Sequence, residues 1–254
     1  MDQVTKKLGL LGKDIEIKLY EVNPQITDFY FGEIIRESER LQMLFDPANP
    51  DSELSELNKK RELAVSDELF YLINKAKYFY EITRGAFDLG RRKSGFNLTA
   101  GTCCPLNDII IKERTIIISC PDANLDLGRL AKGHIVDRLL EFMKQLGITS
   151  GFISTGWGMK IYGNHIEIIE VPIPSHNIRI PVALENISIS VFNKNGNNPH
   201  ARRGIISAVV LSKNLLDSRA AALSIPALGT DLSSNILCRD LSFKALITDE
   251  YLKK

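Results

Sequence analysis

The chain has 254 residues, enough for a large core, since a domain of this size hides roughly 70–75% of its unfolded-chain surface. Its 32 Lys and Arg against 31 Asp and Glu leave a net charge of +1, so no global field gathers a polyanion and a nucleic-acid role loses its main support. No apolar run approaches the ~18 residues of a membrane-spanning helix, and Cys103, Cys104, Cys120 and Cys238 lack the spacing of zinc ligands.

The N-terminal residues Met1 to Lys7 carry neither an apolar signal core nor a lipid-accepting cysteine, so the chain as given reads as cytoplasmic with reduced thiols. Residues 14–20 alternate polar and apolar with period two, the pattern of a half-buried strand. Thr27 and Asp28 cap a helix over 27–45 that sets Phe31, Ile34, Ser38, Leu41 and Phe45 on one face. Asp46 to Pro50 ends it, and a short turn through Leu54 and Leu57 follows. A second helix over 66–82 starts at Ser66, buries Leu69, Leu72, Ala76 and Phe79, and closes at Gly85.

Residues 88–108 read as loop, and 109–119 as a β-hairpin turning at Lys112-Glu113-Arg114-Thr115. A third helix over 129–146 presents Ile135, Leu139, either Phe142 or Met143, and Leu146 to the core, ending at Gly147. A buried strand at 151–155 enters Gly156-Trp157-Gly158 and returns through 159–162. Short strands fit 187–192, 205–211 and 243–247, and the Ala-rich segment 215–228 is helical until Pro226 or Gly229 stops it. Hairpin-like pairs outnumber βαβ signals, which predicts an α+β fold, a single domain over 1–254 with room for two lobes, its helices packed on an antiparallel or mixed sheet.

Several segments resemble the FAD:protein FMN transferase family, the ApbE-like flavin transferases. Thr83-Arg84-Gly85-Ala86-Phe87-Asp88 is similar to its threonine-x-glycine-alanine-phenylalanine-aspartate motif. Asp126-Leu127-Gly128-Arg129-Leu130-Ala131-Lys132-Gly133, followed by Asp137, is similar to its aspartate-leucine-glycine-glycine-isoleucine-alanine-lysine-glycine stretch. Upstream, Asp51-Ser52-Glu53-Leu54-Ser55-Glu56-Leu57-Asn58 and, downstream, Thr155-Gly156-Trp157-Gly158 fall in the family's order. The resemblance implies an ApbE-like (T-fold-like) architecture. It also implies an enzyme that binds FAD with magnesium and joins FMN to a threonine or serine hydroxyl of an acceptor flavoprotein. In the family the alanine of the lysine-containing motif lends its backbone carbonyl to magnesium, which falls on Ala131 here, and Lys132 and Asp137 support the site's geometry.

Physical chemistry gives the same residues two readings. Gly128 and Gly133 at the start of a helix either expose amides to a pyrophosphate, with Lys132 as a point charge, or only permit tight packing. Trp157 between glycines either offers its face to a planar ring or belongs to the core. Asp88 either accepts from a sugar or adenine amine or forms a turn. Ala86, Phe87, Asp88, Gly128, Lys132, Gly133, Thr155, Gly156 and Trp157 are the cofactor-binding candidates, gathered around one flavin nucleotide.

The departures from the pattern come later in the chain. Residues 187–194 lack the acidic residue of the family's serine-glycine-aspartate-tyrosine element, and Asn198 to Gly204 leaves His200 as the catalytic candidate. In Leu216-Asp217-Ser218-Arg219-Ala220-Ala221, Asp217 takes the place of the metal carboxylate and Ala221 that of the metal-binding threonine. Two alternatives follow, a flavin or nucleotide binder without transferase activity and an FAD pyrophosphatase that releases FMN and AMP.

Overall fold

The computed structural model describes residues 3–85, 87, 90–92, 106–121, 123–173, 178–193, 205–230, 233 and 243–249. The chain divides into two compact units, one of residues 39–132 and one of residues 1–38 with 133–254. Each boundary falls inside a helix, at Ser38/Glu39 in α1 (Thr27–Phe45) and at Lys132/Gly133 in α4 (Gly128–Gln145).

The larger unit is built on a seven-stranded sheet whose pairings are all antiparallel. Its order is β1 (Gln3–Leu10), β2 (Lys13–Tyr20), β8 (Ser150–Ser154), β9 (Gly158–Tyr162), β12 (Ser188–Asn193), β13 (Ile205–Ser212) and β14 (Lys244–Asp249). Alternation along each strand decides what covers each face. On β12, Ser188 and Ser190 meet Ser218 of α5 (Leu215–Leu228), at 3.3 and 3.0 Å between hydroxyls. Ile189, between them, points the other way into a cluster with Tyr20, Phe152, Ile161, Val209, Val171 and Leu184. The last two belong to a separate antiparallel hairpin, β10 (Glu167–Ile173) and β11 (Ile178–Leu184). One face is therefore covered by helix and the other by a hairpin, and each fully buried Ile, Leu or Phe in these layers contributes about 1.5–3 kcal/mol.

The hairpin is pinned at its base. Glu167 Oε1 accepts from Lys18 Nζ at 2.6 Å and from the Tyr20 hydroxyl at 2.5 Å, and the His165 ring stacks on Tyr20 with centroids 3.8 Å apart. Burial pushes the Glu167 carboxyl upward, but hydrogen bonds from Lys18 and Tyr20 and the charges of Lys18 and His165 outweigh it and hold the group below its usual range. Burial, then the bond to Glu167 and its charge, pushes the Tyr20 phenol above its ordinary value.

The smaller unit holds α2 (Glu53–Lys60), α3 (Asp67–Ile82), a three-stranded sheet in the order β3 (Glu62–Ala64), β6 (Thr115–Ile118), β5 (Ile109–Lys112), and the short pair β4 (Gly90–Arg92) and β7 (Ala123–Leu125). Ser52 and Ser66 cap the two helices through the amides of Ser55 and Leu69. Glu53 accepts from both the amide and the hydroxyl of Ser66, at 2.5 and 2.6 Å, which joins one helix start to the other.

The α+β class holds, and the helices expected at 27–45, 66–82 and 129–146 are found at 27–45, 67–82 and 128–145. Other expectations need correction. The turn expected after Asp51 is the two-turn helix α2, and part of the loop expected at 88–108 is β4, paired with β7. Of the two stops expected for 215–228, Gly229 is the one that ends α5, and Pro226 lies inside it. Strand β1 and the β10–β11 hairpin had no reading at all: β1 is a largely exposed, Lys-containing edge, and Pro172 and Pro181 argue against ladder positions for the hairpin.

The base of the hairpin gives a pH signature. A carboxyl held low in the folded state contributes stability that is full above its unfolded pKa, about 4.3, and lost as pH falls through the folded value. The Tyr20 contribution is full below about pH 10 and lost as pH rises toward its raised value. Glu167→Gln is expected to cost about 1–3 kcal/mol at neutral pH and to flatten the acid limb of a plot of urea midpoint against pH. An unchanged acid limb contradicts this assignment.

Candidate functional site

The segments expected to form a site are held by hydrogen bonds that fix how much of each remains for a ligand. In Thr83 to Phe87, the Thr83 hydroxyl donates to Phe79 O at 2.5 Å and accepts the Phe87 amide at 2.9 Å, while Gly85, at φ +80°, closes α3 by donating to Tyr80 O. This is a helix C-terminal cap that needs a left-handed residue. The Phe87 ring is 2% exposed and packs on Phe79 with centroids 5.7 Å apart. The Phe87 side chain is thus a core residue here. Ala86, Asp88 and His200 lie outside the described residues.

The segment Asp51 to Asn58 also has structural work. Besides the two caps, Leu54 and Leu57 are buried, and the Asn58 amide mimics a strand neighbour: Nδ2 donates to Leu125 O at 2.9 Å and Oδ1 accepts Leu125 N at 2.8 Å. It thereby holds the chain that leads into Asp126.

At the start of α4 the expectation of open amides is not met. Asp126 Oδ1 accepts the Gly128 amide at 3.1 Å, and Leu127 O accepts those of Leu130 and Ala131 at 2.9 and 2.7 Å. A carboxylate already stands where an anion would sit, and Ala131 is wholly buried. Lys132 is half-buried. A pyrophosphate bound by the amides of 128, 130 and 131 would have to displace these bonds.

Further along α4, Gly133 takes the packing role that its sequence left open. A Cβ there would lie 2.9 Å from Leu216 Cα and 3.0 Å from Leu216 N, so only glycine lets α5 approach. One turn on, the two oxygens of Asp137 accept the amides of Leu215 and Leu216, each at 2.9 Å. Asn214, at the cap position itself, makes no side-chain cap bond; Asp137 caps α5 from another helix, satisfying two amides and meeting the positive end of the dipole. Lys160 of β9 donates to Asp137 Oδ1 at 2.6 Å. Carboxylate and ammonium are 14% and 15% exposed, so each charge depends on the other.

So fixed, α5 carries Asp217 and Arg219. The turn between β8 and β9 is closed by Thr155, whose hydroxyl donates to Gly158 O at 2.7 Å and accepts Gly158 N at 3.0 Å. Thr155 therefore shapes the turn, Gly156 is its exposed corner, and Trp157 is left half-buried. The Arg219 guanidinium lies over the indole, 4.3 Å from the ring centroid, and donates from Nη1 to Val191 O at 3.2 Å.

Magnesium takes oxygen ligands in octahedral geometry, usually one or two carboxylates with waters and substrate phosphates. Among the described residues there is no group of three or more His, Cys, Asp and Glu able to hold a metal. Asp217 sits in the first turn of α5, and Ala221, one turn on, is a wholly buried methyl group.

The ApbE family model matches residues 11–93 and 98–193. The chain belongs to that family. A FAD:protein FMN transferase of Klebsiella pneumoniae (strain 342) is 23% identical over 181 residues, covering 61% of this chain and 54% of its own length. The chain thus matches about half of that relative. Among solved structures, the flavin transferase ApbE from Vibrio cholerae superposes with a TM-score of 0.83 at 17% identity, covering 98% of this chain and 94% of its own. The apo form of the Pseudomonas stutzeri flavinyl transferase ApbE gives 0.84 at 15%, covering 98% and 91%. The ApbE protein of Thermotoga maritima gives 0.80 at 17%, covering 98% and 95%. At these identities the ApbE structures establish the fold.

The role of Asp137 as a cap for α5 had a legible signal, since Gly133 and Asp137 stand four residues apart on one helical face. Its partner Lys160 had none, being one of many polar residues on alternating strands.

Two substitutions test this joint. Asp137→Ala leaves Lys160 and two helix amides without their acceptor and is expected to cost about 3–5 kcal/mol, read by urea unfolding. Gly133→Ala is expected to cost about 1–3 kcal/mol through overpacking. Gly156→Ala, where a Cβ meets nothing within 4 Å, should stay within about 0.5 kcal/mol. Equal midpoints for Gly133→Ala and Gly156→Ala refute the close approach.

Proposed function

We propose that this chain is an FAD:protein FMN transferase, moving FMN from FAD to a threonine or serine hydroxyl of an acceptor protein. The observation that carries the reading is the family match over residues 11–93 and 98–193, on a chain whose fold follows the ApbE structures through almost its whole length. In this reaction the acceptor oxygen forms a bond to the FMN-side phosphorus of FAD, the anhydride P–O bond breaks, and AMP leaves with the electron pair. The hydroxyl proton goes to a base, the role proposed for His200.

The described residues contribute orientation and charge. Trp157, on a turn locked by Thr155, offers an indole to a planar ring system. Arg219, fixed against that indole, supplies positive charge for the phosphates. Asp137 and Gly133 act at one remove by setting where α5 starts. Asp217 is the carboxylate that α5 offers where the family has a magnesium ligand.

One observation favours a second reading, a flavin nucleotide binder without transfer: the residue one turn beyond Asp217 is the buried methyl of Ala221.

Incubating the protein with FAD and magnesium, with and without candidate acceptors, and resolving products by mass separates the readings. The transferase gives an acceptor heavier by one FMN unit, with AMP released. Free FMN with AMP, in the absence of a protein adduct, indicates a pyrophosphatase, and unchanged FAD that nevertheless binds indicates the binder. In parallel, Trp157→Ala should weaken FAD binding by about tenfold, or ~1.4 kcal/mol, measured by flavin fluorescence. Failure of the wild type to saturate at tens of micromolar FAD refutes the flavin reading altogether.

A further inference from the structure

Trp157 is the chain's sole tryptophan, and the Arg219 guanidinium is held against it from two directions. The indole lies beneath the guanidinium, and Val191 O takes its Nη1 hydrogen. Val191 in turn donates its amide to Trp157 O at 2.8 Å, so the turn, strand β12 and the arginine brace one another. A guanidinium does not titrate in a protein, and its planar fork matches the oxygens of a phosphate. A fork whose plane is already set loses less freedom on binding an anion than a solvated lysine would.

The same helix is poor in what a divalent cation needs. Asp217 is its acidic residue in the first turn, and Ala221 has no oxygen on its side chain. The cation this helix holds in a fixed place is Arg219, whose charge serves an anion directly.

We infer that Arg219, clamped on Trp157, is the fixed cation that receives the phosphate of a flavin nucleotide, so that this chain binds the nucleotide without a divalent metal. The inference rests on the flavin reading and deepens it. It assigns the distinction between phosphorylated flavins and riboflavin to one side chain.

The test titrates riboflavin, FMN and FAD into the full chain, with magnesium or with excess chelator, following Trp157 and flavin fluorescence. In chelator the wild type should bind FMN and FAD at least about tenfold more tightly than riboflavin, and magnesium should change those affinities by less than about twofold. Arg219→Gln should erase the preference, so that FMN, FAD and riboflavin bind with affinities within about twofold of one another. Arg219→Lys, which keeps a charge but not the planar stack, should retain part of it. A preference that appears only with magnesium, or that survives Arg219→Gln in a variant with wild-type thermal melting, overturns the inference while leaving the flavin reading intact. If Arg219→Gln does not fold, the chelator comparison on the wild type decides alone. Absence of binding by all three flavins, riboflavin included, overturns the flavin reading and this inference together.

Discussion

The carboxylate of Asp137 accepting two consecutive amides of α5 is the contact on which the organisation of the larger unit turns. A helix start carries amides with no partner of their own, and here the acceptor comes from a different helix, its charge balanced by a lysine from the sheet. Helix α4, helix α5 and strand β9 are fixed to one another by one side chain. Gly133 makes that geometry reachable by removing the only atom that would keep the helices apart. Asp217 and Arg219 inherit their positions from this joint, and the Trp157 indole inherits its covering partner.

The segments that carry the family resemblance acquire a physical explanation in the fold. Ser52 and Glu53 cap helices, Asn58 pairs with the backbone of Leu125, Thr83 and Gly85 terminate α3, and Thr155 closes a turn. These motif residues fix helix ends, a turn and a chain crossing. Trp157 and Arg219 differ from these in pairing a ring with a cation, although one guanidinium hydrogen goes to Val191 O.

Helix positions were legible because capping residues and three- to four-residue spacing are local. Ser66, Leu69, Leu72, Ala76 and Phe79 mark α3 from sequence alone, and Phe31 to Phe45 mark α1. The β10–β11 hairpin was illegible for the opposite reason. Its prolines argue against strands, and what stabilises it is distant in sequence, with Lys18 and Tyr20 reaching Glu167. How the atoms of the segments singled out are used by the fold was not legible. Only coordinates show that Asp126 has taken the Gly128 amide or that Phe87 turns inward, because both outcomes depend on short-range geometry that composition does not encode.

The pairing of β2 with β8 joins Tyr20 to Ser150, a separation of about 130 residues whose loop-closure entropy is met before the contact gives anything back. Residues 39–132 emerge from the ribosome in between. At ~5–20 residues per second, the backbone edge of β2, with Ile15, Ile17 and Leu19 on its apolar face, waits several seconds or longer for its neighbour. During that interval the nascent β1–β2 hairpin is the part of the chain most exposed to mispairing. The Lys residues at 6, 7, 13 and 18 then serve a second purpose, keeping an unfinished sheet from recruiting another one.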